Sequence, residues 1–139
     1  MYNYRQPTIL IINNSRQELT FNSPILASFN LVNLLFQEPE TLSWIQQHQP
    51  DLIVLDLEWS QLSHLQLVTN LKLDWLTRDI PVVVIVNSIA QQHRLSSDIN
   101  YDGYSLRPYS IIELEKHVCS LITTFDCQSY LEAINISSK

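Results

Sequence analysis

The side chain best placed for chemistry is Asp56. It closes the run Pro50-Asp-Leu-Ile-Val-Leu-Asp56, a short apolar stretch ending in one carboxylate. Such a run reads as a buried parallel strand that carries an acid to the C-terminal edge of a sheet. In open α/β sheets that edge is where ligands bind. A carboxylate there can act as a nucleophile, hold a cation or pair with a base. Asn13 and Asn14 follow a second apolar run, Thr8-Ile-Leu-Ile-Ile12, and Arg107 follows a third, Gly103-Tyr-Ser-Leu106. The two asparagines suit the capping of a turn and could also act as neutral metal ligands. Arg107 could pair with Asp56 and so hold the last strand in place. His48, His64, His93 and His117 fall on different elements, and no spacing among them supports a metal or a catalytic dyad. Cys119 and Cys127 also lack metal-ligand spacing. The single glycine, Gly103, excludes a glycine-rich phosphate loop or dinucleotide fingerprint.

The elements that must position these residues alternate. Strands are expected at 8–12, 29–36, 51–57, 81–86 and 103–106. A first helix is expected within 15–28, short, broken or displaced because Pro24 removes a donor and crowds the preceding turn. Pro39 or Glu40 opens a second helix that ends near His48. Leu65, Val68, Leu71 and Trp75 mark a third over 63–76. A weak fourth spans 90–97 with a thin apolar face of Ile89 and Leu95. Ile111, Leu114, Val118, Leu121 (or Ile122) and Phe125 give the face of a last one. This pattern predicts an α/β fold, a doubly wound five-stranded parallel sheet of flavodoxin-like order 2-1-3-4-5 with an irregular first helix. Strands 1 and 3 then lie side by side, and Asn13, Asn14 and Asp56 converge on one crevice.

The bulk composition narrows the function. The 139 residues suit one domain, with 45% hydrophobic and 16% charged residues. Fourteen acids against eight bases give a net charge of −6, which disfavours direct nucleic-acid binding. No apolar run approaches the length of a membrane span, and the first residues lack the layout of a signal peptide. A cytoplasmic location is expected, with both cysteines reduced.

These residues resemble the receiver domain of bacterial response regulators over about residues 8–125. Pro50-Asp-Leu-Ile-Val-Leu-Asp56 looks like the receiver's third strand with its phospho-accepting aspartate. Asp79-Ile-Pro-Val-Val-Val-Ile-Val86 looks like its fourth, at the expected interval from Asp56. Tyr104-Ser-Leu-Arg107-Pro108-Tyr109 looks like its fifth strand and the Lys-Pro-Phe turn. The resemblance implies a phospho-acceptor position at Asp56 and metal-site positions at Asn13, Asn14 and Glu58. It implies switch positions at Val86 (or, one residue on, Asn87 or Ser88), Tyr104 and Arg107. The pattern departs from the family at most of them. Asn13 and Asn14 stand where receivers carry two magnesium-binding acids, and Val86 where they carry Thr or Ser. Arg107 replaces the lysine, and Glu58-Trp59-Ser60-Gln61 replaces the loop after the aspartate. Trp59 would either cover the crevice or pack in the core.

The expectation is a degenerate receiver, or pseudo-receiver, over 1–125 with a C-terminal extension at 126–139. It would be a non-enzymatic interaction module in bacterial signal transduction, free-standing or part of a longer regulator. No cofactor is expected beyond weak magnesium binding, since two asparagines leave a hard cation about one negative charge instead of about three. The partner would be a sensor kinase, a transcription regulator or a second copy. Its docking face would carry Gln91, Gln92, His93 and Arg94, then Tyr104, Tyr109, Glu113 and Lys116. The alternative is a receiver that still accepts phosphate on Asp56 with a relaxed metal site.

Overall fold

The structure, a computed structural model, describes residues 6–14 and 26–122. Five parallel strands form one sheet: β1 (Thr8–Asn13), β2 (Asn30–Leu35), β3 (Leu52–Asp56), β4 (Val82–Val86) and β5 (Gly103–Leu106). Their order is β2-β1-β3-β4-β5, as the alternating pattern predicts. Four helices cross between and after them: α1 (Glu40–His48), α2 (Leu62–Leu73), α3 (Ile89–Asp98) and α4 (Ile111–Leu121). The broken first helix, Phe125 and the extension at 126–139 lie outside the described residues, apart from a 3₁₀ turn at Leu26–Ser28.

The central strands are apolar along their whole length because helices cover both faces. Successive side chains alternate between two cores. Leu10, Ile12, Ile53, Leu55, Val82 and Val84 face Ile45 of α1, Val68 and Leu71 of α2, and Leu95 of α3. Ile9, Ile11, Leu52, Val54, Val83 and Ile85 face Leu114, Val118 and Cys119 of α4, with Leu26 and Phe29. Two carboxylates close the other edge of the sheet, where the strands begin. Asp51 Oδ2 accepts from Thr8 N at 2.8 Å, and Asp102 Oδ2 accepts from Val82 N at 2.7 Å. Gly103 leaves room for the His117 ring: a Cβ there would sit 3.0 Å from His117 Nδ1.

Helix ends follow local chemistry. Ser88 and Ser110 cap α3 and α4 by accepting from Gln91 N at 3.0 Å and Glu113 N at 3.2 Å. Gln49 ends α1 in the left-handed region at φ 49°, and its N–H reaches Ile45 O. The expected third helix stops three residues early. Asp74 Oδ1 accepts from Leu76 N at 2.9 Å, a local turn that competes with the helix. That N–H, and after it the Gln46 amide, hold the Asp74 carboxyl below the usual carboxylate range, while desolvation opposes them. Trp75 is thereby thrown outward and is 74% exposed, and His64 and Leu67 complete the buried face that Trp75 was expected to share. Ile89 is likewise exposed, so α3 rests on Leu95.

Leu55 is fully buried between β1, β4 and α2. Leu55→Ala should cost about 2–5 kcal/mol, from lost transfer energy plus the cavity left behind. Urea unfolding followed by far-ultraviolet circular dichroism measures it.

Candidate functional site

The site lies where β3, β4 and β5 end. Asp56 is the last residue of β3, and the parallel register sets it beside Asn13, the last residue of β1. Arg107 follows β5 directly, and its N–H donates to Val86 O at 2.8 Å, so the ladder itself aims the side chain at the crevice. The peptide bond from Arg107 to Pro108 is cis.

Arg107 spreads its guanidinium over three residues at the ends of β3 and β4. Nε donates to Asp56 Oδ1 at 2.8 Å, and Nη2 donates to the same oxygen. Nη2 also donates to Leu57 O at 3.0 Å, and Nη1 to Asn87 Oδ1 at 2.7 Å. Both members of the ion pair are about three-quarters buried. A planar fork can satisfy these acceptors together, whereas a lysine ammonium is a compact point charge. Hydrogen bonds to charged groups of this kind contribute about 1.5–3 kcal/mol each.

The surrounding residues extend this arrangement. Trp59 is buried, and its indole Nε1 donates to Ile85 O at 2.7 Å, tying the loop after β3 to the end of β4. The indole is therefore both core packing and a clamp beside the crevice. His64 Nδ1 lies 3.0 Å from Glu58 N and 2.9 Å from Glu58 O, closing the same loop onto α2. Phe36 meets the His64 ring edge-on at 4.6 Å. Sequence reading left His64 without a role, because a loop contact six residues away carries no motif.

Of the residues singled out in the sequence, Arg107 touches both Asp56 and Asn87. Asn13 is buried beside them by register, and its main-chain oxygen accepts from Phe36 N at 2.7 Å. Asn14 and Glu58 are exposed. Val86 points into the core, so the amide at this corner comes from Asn87. The Ser88 hydroxyl caps α3. Tyr104 is 37% exposed and lies on β5, two strands over from the carboxylate on β3. Its main-chain oxygen lies 2.9 Å from His117 Nε2. Tyr109 belongs to the site's electrostatics. Burial pushes its phenol well above the usual tyrosine range, the Asp56 carboxylate adds to this, and Arg107 opposes it. The described residues hold no cluster of three or more His, Cys, Asp or Glu fit for a metal.

Known proteins share this fold. The chain superposes on the chemotaxis protein CheY4 of Vibrio cholerae with a TM-score of 0.66, covering 85% of this chain and 100% of that one at 12% identity. The signal receiver domain of a histidine kinase from Syntrophus aciditrophicus gives 0.65, with 84% and 90% covered at 22% identity. This is the receiver fold. By sequence, the chain is 26% identical over 119 residues to a probable cyclic di-GMP phosphodiesterase of Vibrio cholerae. That match takes in 85% of this chain and 27% of the relative, so the chain spans about a quarter of that protein. No family model matches. Among the described residues of this receiver fold, no helix is long and apolar enough to cross a membrane.

Two outcomes follow from the geometry. Arg107→Ala should destabilise the fold by about 1–3 kcal/mol by leaving a mostly buried carboxylate without its partner. Arg107→Lys should recover only part of that, and chemical denaturation of the two variants separates charge from fork geometry. The raised phenol of Tyr109 has the opposite pH signature to a paired carboxylate. Its contribution is intact below the unfolded tyrosine pKa of about 10 and is lost as pH rises beyond it, since the unfolded chain then releases a proton the folded one keeps. Tyr109→Phe should flatten the alkaline fall in stability, measured as melting temperature against pH.

Proposed function

We propose that this chain is an atypical receiver domain that works as a protein–protein interaction module in two-component signal transduction, without conventional magnesium-dependent phosphorylation of Asp56. One observation carries the reading: the Arg107 fork on the Asp56 carboxylate. A receiver's magnesium ion needs anionic oxygens. Here Asn13 and Asn14 are neutral, the Glu58 side chain is exposed, and the one central carboxylate already neutralises a guanidinium. These groups do not fit the ion. Phosphoryl transfer to a carboxylate depends on positioning and charge neutralisation, and no hydroxyl from Val86 or Ser88 supports it.

On this reading Asp56, Asn13, Asn14 and Glu58 are vestigial positions, and Arg107 holds the end of β5 in one state. The module is non-enzymatic and cytoplasmic, occupies residues 1–125, and acts through binding rather than chemistry. Its partner is another signalling protein, a sensor kinase or a transcription regulator, or a second copy. The face made by α3, β5 and α4 suits docking. A groove of about 480 Å³ there is lined by Tyr101, Tyr104, His117, Gln92 and Ser96 with the Asp102 carboxylate among them, and tyrosines of this kind are enriched at interfaces.

The test is the intact mass after incubation with acetyl phosphate and magnesium, beside an Asp56→Asn control. No mass gain is expected in either. A gain of one phosphoryl group that the control lacks would overturn the reading in favour of a phospho-accepting receiver with a relaxed metal site.

A further inference from the structure

Among the described residues, the outer edge of β2 is an open sheet edge without the usual protection. Exposed edge strands are normally blunted by shortness, charge, proline or a bulge. The opposite edge, β5, follows that rule: it has four residues and runs straight into Arg107 and Pro108. β2 has six residues, Asn30-Leu-Val-Asn-Leu-Leu35, with no charge and no proline, and it pairs with β1 residue for residue.

Backbone geometry determines which groups face outward. Asn30 N donates to Pro7 O and Phe36 N to Asn13 O, so the even-numbered residues turn their main-chain groups toward β1. Leu31, Asn33 and Leu35 therefore turn theirs away, and among the described residues nothing pairs with them. An antiparallel strand added here exchanges paired hydrogen bonds only with those three.

The sequence around Asn33 is self-complementary under that constraint. Two copies of β2 set antiparallel about Asn33 bring Leu31 opposite Leu35, Val32 opposite Leu34, and Asn33 opposite itself. Leu31, Asn33 and Leu35 meet as hydrogen-bonded pairs, and Val32 and Leu34 as the non-hydrogen-bonded pair between them. The symmetry axis is perpendicular to the sheet, so each core face continues into the same face of the other copy. Leu35, 37% exposed, would be covered by Leu31 of the other copy. The Asn33 side-chain oxygen, buried within the protomer and without a hydrogen-bond partner among the described residues, would lie close to the axis. An unrelated strand would match the free main-chain groups, but it has no reason to match this palindromic run of apolar residues.

We propose that β2 pairs with β2 of a second copy, joining two five-stranded sheets into one isologous dimer. The inference is independent of the reading of Asp56, and it leaves the α3–β5–α4 face free at the far ends of the joined sheet.

Sedimentation equilibrium of the full chain tests it. The chain should form a dimer, and Asn33→Asp and Asn33→Lys should each weaken it at least tenfold by placing like charges opposite at the axis. An equimolar mixture of the two variants should recover the dimer, because only residue 33 meets residue 33. Should either variant fail to fold, Leu35→Lys, at an exposed position, must weaken the dimer by itself. A wild-type chain that stays monomeric from micromolar to millimolar concentration overturns the proposal. So does a dimer that folded variants leave unchanged, or a mixture of folded variants that does not recover it.

Discussion

A sheet covered by helices on both faces can present chemistry only where its strands end, and this constraint governs the rest of the molecule. β1, β3 and β4 are buried almost throughout, so apart from their terminal residues their side chains build the two cores. Polar groups are pushed to the two ends of the strands. At the starting end Asp51 and Asp102 accept strand N–H groups, and at the finishing end Asp56 meets Arg107. Buried main-chain groups need partners, which explains why Asp51 and Asp102 stand where strands begin.

The finishing end is organised by one cation. Arg107 reaches β3 through Asp56 and Leu57 and the end of β4 through Asn87, while its own N–H extends the pairing with β4. The same atoms therefore close the sheet and occupy the carboxylate. A mostly buried ion pair is weak grounds for a gain in stability over an apolar substitute, but removal of one member leaves a charge without its counterpart. The arrangement favours one geometry of the β5 terminus over others.

Much of this was legible in the sequence, for physical reasons that can be traced to particular residues. Val82 to Val86 is a run of β-branched residues too short for a helix and bounded by Pro81, and it could hardly be anything but a buried strand. The pairing of Arg107 with Asp56 was one of two alternatives, because a strand order places both residues at one edge but does not say how a side chain turns. The end of α2 was misread. Periodicity carried the helix through Trp75, whereas the short side chain of Asp74 captured Leu76 N and turned the chain away. His64 has no role in the sequence reading, and Tyr109 has one only as a docking-face residue, because their surroundings are built by residues distant in the chain and no local pattern records burial beside a charge.

The clamp of Trp59 on Ile85 bears on how this chain can drift over generations. Leu57 and Glu58 are the residues between Asp56 and Trp59, and both are tied down, Leu57 through its oxygen to Arg107 and Glu58 through its main chain to His64. An inserted or deleted residue in this stretch would cost several partners at once. A change of side chain at Glu58, which faces water, therefore costs less here than a change of length.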